Sequence, residues 1–158
     1  MTASNGYSIL PEENPSEADI RTIREGLRAF NRLHAPDDAH RELVLFLRGP
    51  DGSLAGGLLG DTYWGWLHVG ILWLEERVRR QGYGSRLLAA AEEEARRRGC
   101  RHAHVDTMSF QSLPFYEKHG YRVWGVLEDL PEGHKRLFLS KRLDSQPTTD
   151  HRPSTIDE

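Results

Sequence analysis

The residues with the clearest capacity for chemistry lie in one short loop that carries three arginines and two glycines. The arginines are Arg77, Arg79 and Arg80, and Gly82 and Gly84 follow them directly. Glycine can adopt positive φ and lets a ligand approach the backbone closely. A run of strong helix formers begins after the second glycine, and the first N–H groups of a helix have no intrahelical partner and favour an anion. The loop therefore predicts a binding site for a pyrophosphate group.

Two common phosphate-binding patterns do not fit this loop. A P-loop requires a lysine directly after its last glycine, and Gly84 is followed by Ser85. A dinucleotide-binding fingerprint requires a third glycine where this chain has Leu87. A nucleotide-dependent oxidoreductase is therefore disfavoured.

An apolar strand and a long helix are expected to hold the loop in place. The strand is predicted over residues 67–74, and the helix begins near Ser85 and ends at Gly99. The next strand, over residues 103–107, is the natural parallel partner of residues 71–74 through a right-handed helical crossover. The loop would then lie at the end of a central strand.

A second block, FYEKHGY at residues 115–121, follows the glycines by about 30 residues. The two blocks resemble the signatures of the GNAT superfamily of acetyl-CoA-dependent N-acetyltransferases, which are [RQ]-x-x-G-x-[GA] at residues 79–84 and F-Y-x-K-x-G-[FY] at residues 115–121. The resemblance covers about residues 7–143. It implies a single α/β domain whose mixed sheet has a splayed central strand pair flanked by helices, and it implies acetyl-CoA as the co-substrate.

The same resemblance assigns the residues that would bind the cofactor. The acyl-pantetheine arm would pair with the backbone of the first splayed strand like an added strand. Ser109 takes the position where the superfamily often has an asparagine that contacts this arm, and Ser112 is expected as the cap of the following helix. The full predicted cofactor set is Leu72, Trp73, Leu74, Arg79, Arg80, Gln81, Gly82, Tyr83, Gly84, Ser85, Ser109 and Ser112.

Tyr116 is the expected general acid. The superfamily often has a tyrosine here that donates to the leaving thiolate, and a phenol with a pKa near ~10 keeps its proton at pH 7. A packing role on a helix is the alternative. A tentative general base is Glu76 or Asp106, each at the mouth of a splayed strand, although some neutral amine is always present and no dedicated base is required.

These roles predict transfer of an acetyl group from acetyl-CoA to a primary amine by direct attack in a ternary complex. A non-catalytic acyl-CoA-binding regulatory module is the alternative, and Tyr116 favours the enzyme. The acceptor is left open by the sequence, because acceptor loops vary while the fold stays. Acidic Asp61, Glu75 and Asp106 favour a cationic small molecule, and Trp64 and Trp66 could form an aromatic wall or pack in the core.

Composition limits the remaining possibilities. The chain has 158 residues, a formal charge of −3 and one cysteine, Cys100. The charge argues against nucleic acid as a partner, and the lone cysteine cannot form an internal disulfide. No signal peptide or apolar run of membrane length is apparent, so a cytoplasmic protein without a membrane partner is expected. His102 and His104 alternate on a strand, but no metal motif is present, so no metal is expected. A homodimer is left open.

The chain order predicted from these patterns is β-α-β-β-β-α-β-α-β-β. A first short strand is expected over residues 7–10 and a helix from Ser16 to about Ala35, with Ser16 or Asn14 as its cap. Residues 1–6 are expected to be a flexible N-terminus, residues 7–143 the acetyltransferase domain, and residues 144–158 a flexible polar tail.

Overall fold

The computed structural model describes residues 6–144. The two predicted flexible ends, residues 1–6 and 144–158, therefore lie outside the described residues except for Gly6 and Asp144. The chain divides into two compact units, one up to Asp37 and one from Asp38 onward. None of the helices within residues 6–144 is long and apolar enough to cross a membrane.

The first unit contains helix α1, Glu17–Arg32. Ser16 is its N-cap as expected, because its Oγ accepts a hydrogen bond from the N–H of Asp19 at 3.0 Å. The predicted strand over residues 7–10 is wrong, since this segment has no regular structure. A strand is stable only where a neighbouring strand pairs with its backbone, and these residues have no such partner among those described.

The second unit is built on a six-stranded mixed sheet. Its elements, in chain order, are β1 Arg41–Arg48, β2 Leu54–Tyr63, β3 Trp66–Leu74, α2 Tyr83–Arg97, β4 His102–Met108, α3 Leu113–Lys118, β5 Arg122–Glu128 and β6 Lys135–Arg142. The strand order is β1-β2-β3-β4-β6-β5, and only β3 and β4 are parallel. The sheet and its helices confirm the predicted fold class.

Side-chain alternation decides which face of the sheet joins the core. On β4, Ala103, Val105 and Thr107 are buried, whereas His102 and His104 between them are only half-buried. Successive side chains of a strand point to opposite faces, so the apolar set packs under α2 and the histidines lie on the other face. The core then combines residues of the sheet with one stripe of α2, including Leu67, Val69, Leu87, Leu88, Ala91, Val105 and Leu139.

The central parallel strands separate halfway along their length. Trp66 to Val69 of β3 pair with His102 to Val105 of β4, and no pair follows. The parallel strands are the predicted ones, but the prediction that residues 71–74 form the paired segment is wrong, because the strands have already separated there. At the same point the register between β2 and β3 skips Gly70, which forms a β-bulge. A bulge bends its strand and increases the local twist. Residues 70–74 are thereby directed away from β4. This separation is the predicted splay of the central strand pair, and it leaves a V-shaped gap between β3 and β4.

A buried ionic cluster joins α2 to β6. Glu92 is 6% exposed, and the ammonium of Lys141 donates to both of its carboxylate oxygens at 2.9 Å. The Tyr121 hydroxyl donates to the same carboxylate at 3.1 Å. Burial, with the Glu92 charge, raises the pKa of Tyr121 well above its usual value, so this hydroxyl stays a donor.

We expect Glu92→Leu to lower the free energy of unfolding by about 3 kcal/mol, because the largely buried Lys141 ammonium loses the only carboxylate that lies close to it among residues 6–144. Chemical denaturation, with the midpoint and slope fitted together, measures the loss. Glu93→Gln is the matched control, since that neighbouring carboxylate is 61% exposed and its change should cost under about 0.5 kcal/mol. Combining Glu92→Leu with Lys141→Met should restore most of the stability. An unchanged midpoint in Glu92→Leu alone would contradict the assignment.

Candidate active site

The V between β3 and β4 encloses a cleft of about 590 Å³. One wall is the separated part of β3, and the other combines the end of β4 with the start of α3. The residues that line it are Gly70, Ile71, Leu72, Trp73, Leu74, Arg79, Gly84, Asp106, Thr107, Gln111, Ser112, Phe115 and Tyr116. Thr107, Gln111 and Phe115 are functional candidates that the sequence interpretation missed. Phe115 directly precedes Tyr116 in the FYEKHGY motif, so its position in the sequence could have indicated that it lines the cleft.

The free strand edge of β3 forms one side of the cleft. Beyond the bulge, residues 70–74 have no partner on β4, so their backbone groups on that side can pair with an extended ligand. Leu72 and Leu74 direct their side chains to the core, while Trp73 is 51% exposed on the opposite face. The three predicted pantetheine-contacting residues thus lie where an added strand would bind.

The glycine loop forms the entrance to the cleft. A short 3₁₀ turn, Glu76–Val78, follows β3, and Gly82 then takes φ +83° as the residue before α2. The helix begins at Tyr83, two residues earlier than predicted. Among the described residues, the backbone N–H groups of Gly82, Tyr83, Gly84 and Ser85 have no hydrogen-bond partner. These four donors and the helix dipole form a site for an anion.

The arginines of this loop differ in their availability. Arg77 is held by Glu75 in an ion pair, and Gln81 donates to the Arg77 carbonyl at 3.1 Å. Arg79 lines the cleft and donates through Nε to the Leu74 carbonyl at 2.9 Å. Arg80 is exposed and, within residues 6–144, has no side-chain partner. Arg79 and Arg80 are therefore the arginines available to an anionic ligand.

The two predicted serines occupy different places. Ser112 lines the cleft at the N-cap position of α3, but its side chain makes no capping hydrogen bond, contrary to the prediction. Ser109 is tied to the start of β6, since its Oγ accepts from the N–H of Lys135 at 3.0 Å. Gln111 instead shapes this wall, because its Oε1 accepts from the N–H of Met108 at 2.9 Å.

Tyr116 lies at the inner end of the cleft, with 5% of its surface exposed. Its hydroxyl has no hydrogen-bond partner among the described residues. Every fully buried side-chain polar atom of those residues does have a partner, so the Tyr116 hydroxyl is not fully buried. The hydroxyl must therefore open onto the cleft. Burial, with a smaller contribution from the Asp106 charge, raises the pKa of Tyr116 to about 12. The phenol is a protonated donor throughout the physiological range.

The two carboxylates expected as a base are placed differently. Asp106 lines the cleft, but Arg136 donates to its Oδ2 through Nε at 2.7 Å and through a second nitrogen. Glu76 is exposed on the 3₁₀ turn and is not among the residues that line the cleft. Only Asp106 is therefore brought to the reaction space, and it is already paired with a guanidinium.

This arrangement fits a long, bent ligand with an anionic centre and an acyl arm. The unpartnered N–H groups at the start of α2, with Arg79 and Arg80, suit a pyrophosphate. The free edge of β3 suits an amide-bearing arm, and Tyr116 lies where the end of that arm would be reached. Acetyl-CoA has these parts, so the residues present fit it.

Comparison with known proteins agrees with this geometry. Residues 7–121 match the Acetyltransferase (GNAT) family. The chain is 40% identical over 134 residues to acetyltransferase Atu2258 of Agrobacterium fabrum (strain C58 / ATCC 33970), which covers 85% of this chain and 97% of that protein. It is 45% identical over 119 residues to the blasticidin-S acetyltransferase of Streptomyces morookaense, covering 74% and 88% respectively.

A solved structure gives the same result for the fold. The 1.9 Å crystal structure of an acetyltransferase from Bacillus cereus ATCC 14579 aligns with a TM-score of 0.77 at 37% identity, over 84% of this chain and 97% of that one. The alignment includes most of this chain and nearly all of the other, so the similarity is not confined to one part of the fold. The chain belongs to the GNAT family and is an acetyltransferase that uses acetyl-CoA.

Proposed function

We propose that this enzyme acetylates a primary amine of a small molecule by direct attack on acetyl-CoA. One observation carries the proposal: the Tyr116 hydroxyl, which has no hydrogen-bond partner in the described part of the chain, opens onto a cleft whose other wall is a free strand edge. A protein that only binds acyl-CoA has no need of a protonated phenol at that depth. The similarity to named acetyltransferases also argues against a regulatory module without turnover.

Different residues of the cleft would bind the cofactor, orient its acyl arm and stabilise the leaving sulfur. The N-terminus of α2 with Arg79 and Arg80 would bind the pyrophosphate, and the backbone of residues 70–74 would orient the acyl arm. Tyr116 would donate its hydroxyl proton toward the leaving sulfur. Cys100 is buried in the core and outside the cleft, and burial raises the pKa of its thiol, so it is not suited to form an acyl-enzyme. Direct attack follows from this division.

A small-molecule acceptor is supported by one relative and by the shape of the site. The relative from Streptomyces morookaense is named for blasticidin-S, a small molecule. The cleft opens between two strands and is lined by Trp73, Arg79 and Asp106, so it offers one flat apolar surface and both signs of charge. Such a surface suits a compact polar amine.

A panel of amines tests the proposal. We expect acetyl-CoA to release free thiol with at least one small-molecule amine, blasticidin-S being the first to assay, and to raise the melting temperature by binding the folded state. NADH at the same concentration is the control and should raise it much less. A melting shift with acetyl-CoA but no thiol release with any small amine, together with acetylation of a peptide, would contradict a small-molecule acceptor.

A further inference from the structure

A polar network lies on the face of the sheet opposite α2, directly beside the apex of the cleft. His68 of β3 hydrogen-bonds through Nδ1 to Asp61 Oδ1 of β2 at 3.0 Å. The other oxygen of Asp61 contacts His40 Nε2 at 2.9 Å. The ring of His104 on β4 stacks on that of His68, with centroids 4.7 Å apart and planes 22° apart. In the sequence interpretation Asp61 is one of three acidic residues that favour a cationic acceptor, His104 is considered only as a metal ligand, and His40 and His68 have no role.

The position of His68 relative to the splay is set by the strand register. His68 pairs with His104, and one further pair, Val69 with Val105, ends the parallel contact. Gly70 comes next and lines the cleft. A Cβ built on Gly70 would lie 3.8 Å from Cε1 of His68, so the imidazole lies against this lining glycine although His68 itself does not line the cleft. About a third of the His68 side chain is exposed.

The hydrogen bond to Asp61 fixes the tautomer of the neutral His68 imidazole. A carboxylate only accepts, so Nδ1 of His68 carries the proton and Nε2 of the neutral ring carries a lone pair. Within residues 6–144, Nε2 has no hydrogen-bond partner. A histidine held by a carboxylate on one nitrogen and free on the other is the arrangement of a general base.

Two neighbours of His68, Tyr63 and His104, form a hydrogen-bonded pair. Burial, followed by the nearby His68, lowers the pKa of His104, and the Tyr63 hydroxyl lies 2.9 Å from its Nε2, so this ring stays neutral at pH 7. Burial and Asp61 raise the pKa of Tyr63, which keeps it a neutral donor. The titratable groups around His68 are Asp61 of β2 and His40, which contacts the same carboxylate. Tyr63 of β2 and His104 of β4 form a neutral pair beside them. Farther along β4, Asp106 is held by Arg136.

We propose that His68, positioned by Asp61, is the general base that takes the proton from the ammonium group of the acceptor. The assignment rests on the proposed acetylation of an amine. An N–H bond of the ammonium breaks and an Nε2–H bond forms, which frees the nitrogen lone pair to form the C–N bond. The C–S bond then breaks, and its electron pair leaves with the sulfur, to which the Tyr116 hydroxyl donates a hydrogen bond. The new amide nitrogen loses its second proton to water and the thiolate takes one proton from water, so the products are a neutral amide and the CoA thiol. The imidazolium returns its proton to water.

Asp106, the carboxylate that lines the cleft, is the competing base. Its Oδ2 is held by two nitrogens of Arg136, and a carboxylate in such a pair must give up that attraction to take a proton. Uptake at Nε2 of His68 breaks no contact and gains attraction from Asp61. The comparison favours the histidine.

The test uses His68→Gln and Asp61→Asn, with His102→Gln as the matched control. His102 lies on the same face two pairs further from the cleft, where its ring stacks on that of Trp66 with centroids 4.5 Å apart. Each protein is assayed for thiol release from acetyl-CoA with an alkylamine acceptor, which is protonated at pH 7, and with hydroxylamine, which is not. We expect His68→Gln to lose roughly 10²–10³ in kcat/KM with the alkylamine and under about 10-fold with hydroxylamine.

The dependence of the rate on pH gives a second test of the proposed base. With the alkylamine, the deficit of His68→Gln should shrink as pH approaches the pKa of the amine, since more amine arrives neutral. Asp61→Asn should show an intermediate loss, and His102→Gln none. Equal losses with both acceptors, or a larger loss in Asp106→Asn than in His68→Gln, would overturn the assignment.

Nitrogen NMR of the imidazoles gives a result that does not depend on turnover. The signals of His68 are identified by their loss in His68→Gln, and they should report the tautomer with the proton on Nδ1. The Nε2–H tautomer would overturn the proposed base even if amines are acetylated. Conversely, the expected tautomer with no amine acetylated would overturn the proposed function but leave the Asp61–His68 arrangement standing.

Discussion

Tyr116→Phe is expected to lower kcat by roughly 10²–10³ with the true acceptor, while the affinity for CoA stays within about two-fold. The substitution keeps the ring and its packing against Phe115 and Tyr121. It removes only the hydroxyl, which opens onto the cleft and has no partner within the described residues. The pyrophosphate and arm contacts lie on α2 and β3, so binding should be spared.

The raised pKa of Tyr116 limits how the hydroxyl can act. A phenol with a pKa of about 12 is a weaker acid than an ordinary thiol, with a pKa near ~8.5. Complete transfer to the thiolate would be uphill by about 5 kcal/mol at 1.36 kcal/mol per pKa unit. The main contribution of Tyr116 is therefore a hydrogen bond to the charge that develops on sulfur, which is why we expect a loss typical of one such donor.

The same pKa gives a prediction for pH dependence. The hydroxyl keeps its proton until the pH rises through about 12, so its ionisation should not shape the rate profile below about pH 11. Wild type and Tyr116→Phe should then have parallel profiles from pH 6 to 10, offset by a constant factor. Steady-state rates of thiol release measure this.

Tyr121→Phe is the matched control for Tyr116→Phe. It removes a second buried hydroxyl, which donates to Glu92, and neither residue lines the cleft. It should reduce stability and leave kcat unchanged. A Tyr116→Phe enzyme with wild-type kcat would make Tyr116 a packing residue, and water would then be the proton donor.

The sequence predicted well what depends on neighbouring residues. The loop before α2 combines glycine at positive φ, arginines and a helix start within a few positions, and all of these are local properties. The order of strands and helices from residue 41 onward also follows from local alternation and helical periodicity. The strand over residues 7–10 failed for the complementary reason, because a short apolar run does not specify whether another strand will pair with it.

The sequence could not predict contacts between residues that are distant in the chain. Arg136 reaches Asp106 from 30 positions away, and Tyr63 reaches His104 from 41. The register of β2 against β3 decides both the bulge at Gly70 and the contact between Asp61 and His68. A shift of one residue would send every such side chain to the other face. The pairing of Asp106 with Arg136 and the contact between Asp61 and His68 therefore became visible only in the structure.

Gly84→Asp is expected to weaken CoA binding by at least about 100-fold without unfolding the protein. Gly84 is buried in the first turn of α2 and lines the cleft. A Cβ there would meet Phe115 at 3.5 Å and Leu74 at 3.7 Å, which is ordinary contact, and no positive φ is required. An acidic side chain in the first turn also favours the helix dipole. The fold should tolerate the change, and calorimetric titration with CoA should detect the loss.

The size of the loss follows from electrostatics at the anion site. A carboxylate about 4 Å from a phosphate charge costs roughly 4 kcal/mol at the effective dielectric of a protein surface, and it also competes for the N–H groups at the start of α2. Gly84→Asn has nearly the same shape without the charge, and we expect it to lose about 10-fold or less. Gly84→Ala tests the Cβ alone. If Asn weakens binding as much as Asp, steric exclusion rather than charge explains the effect. If Asp binds CoA as wild type does, the pyrophosphate does not lie at the N-terminus of α2.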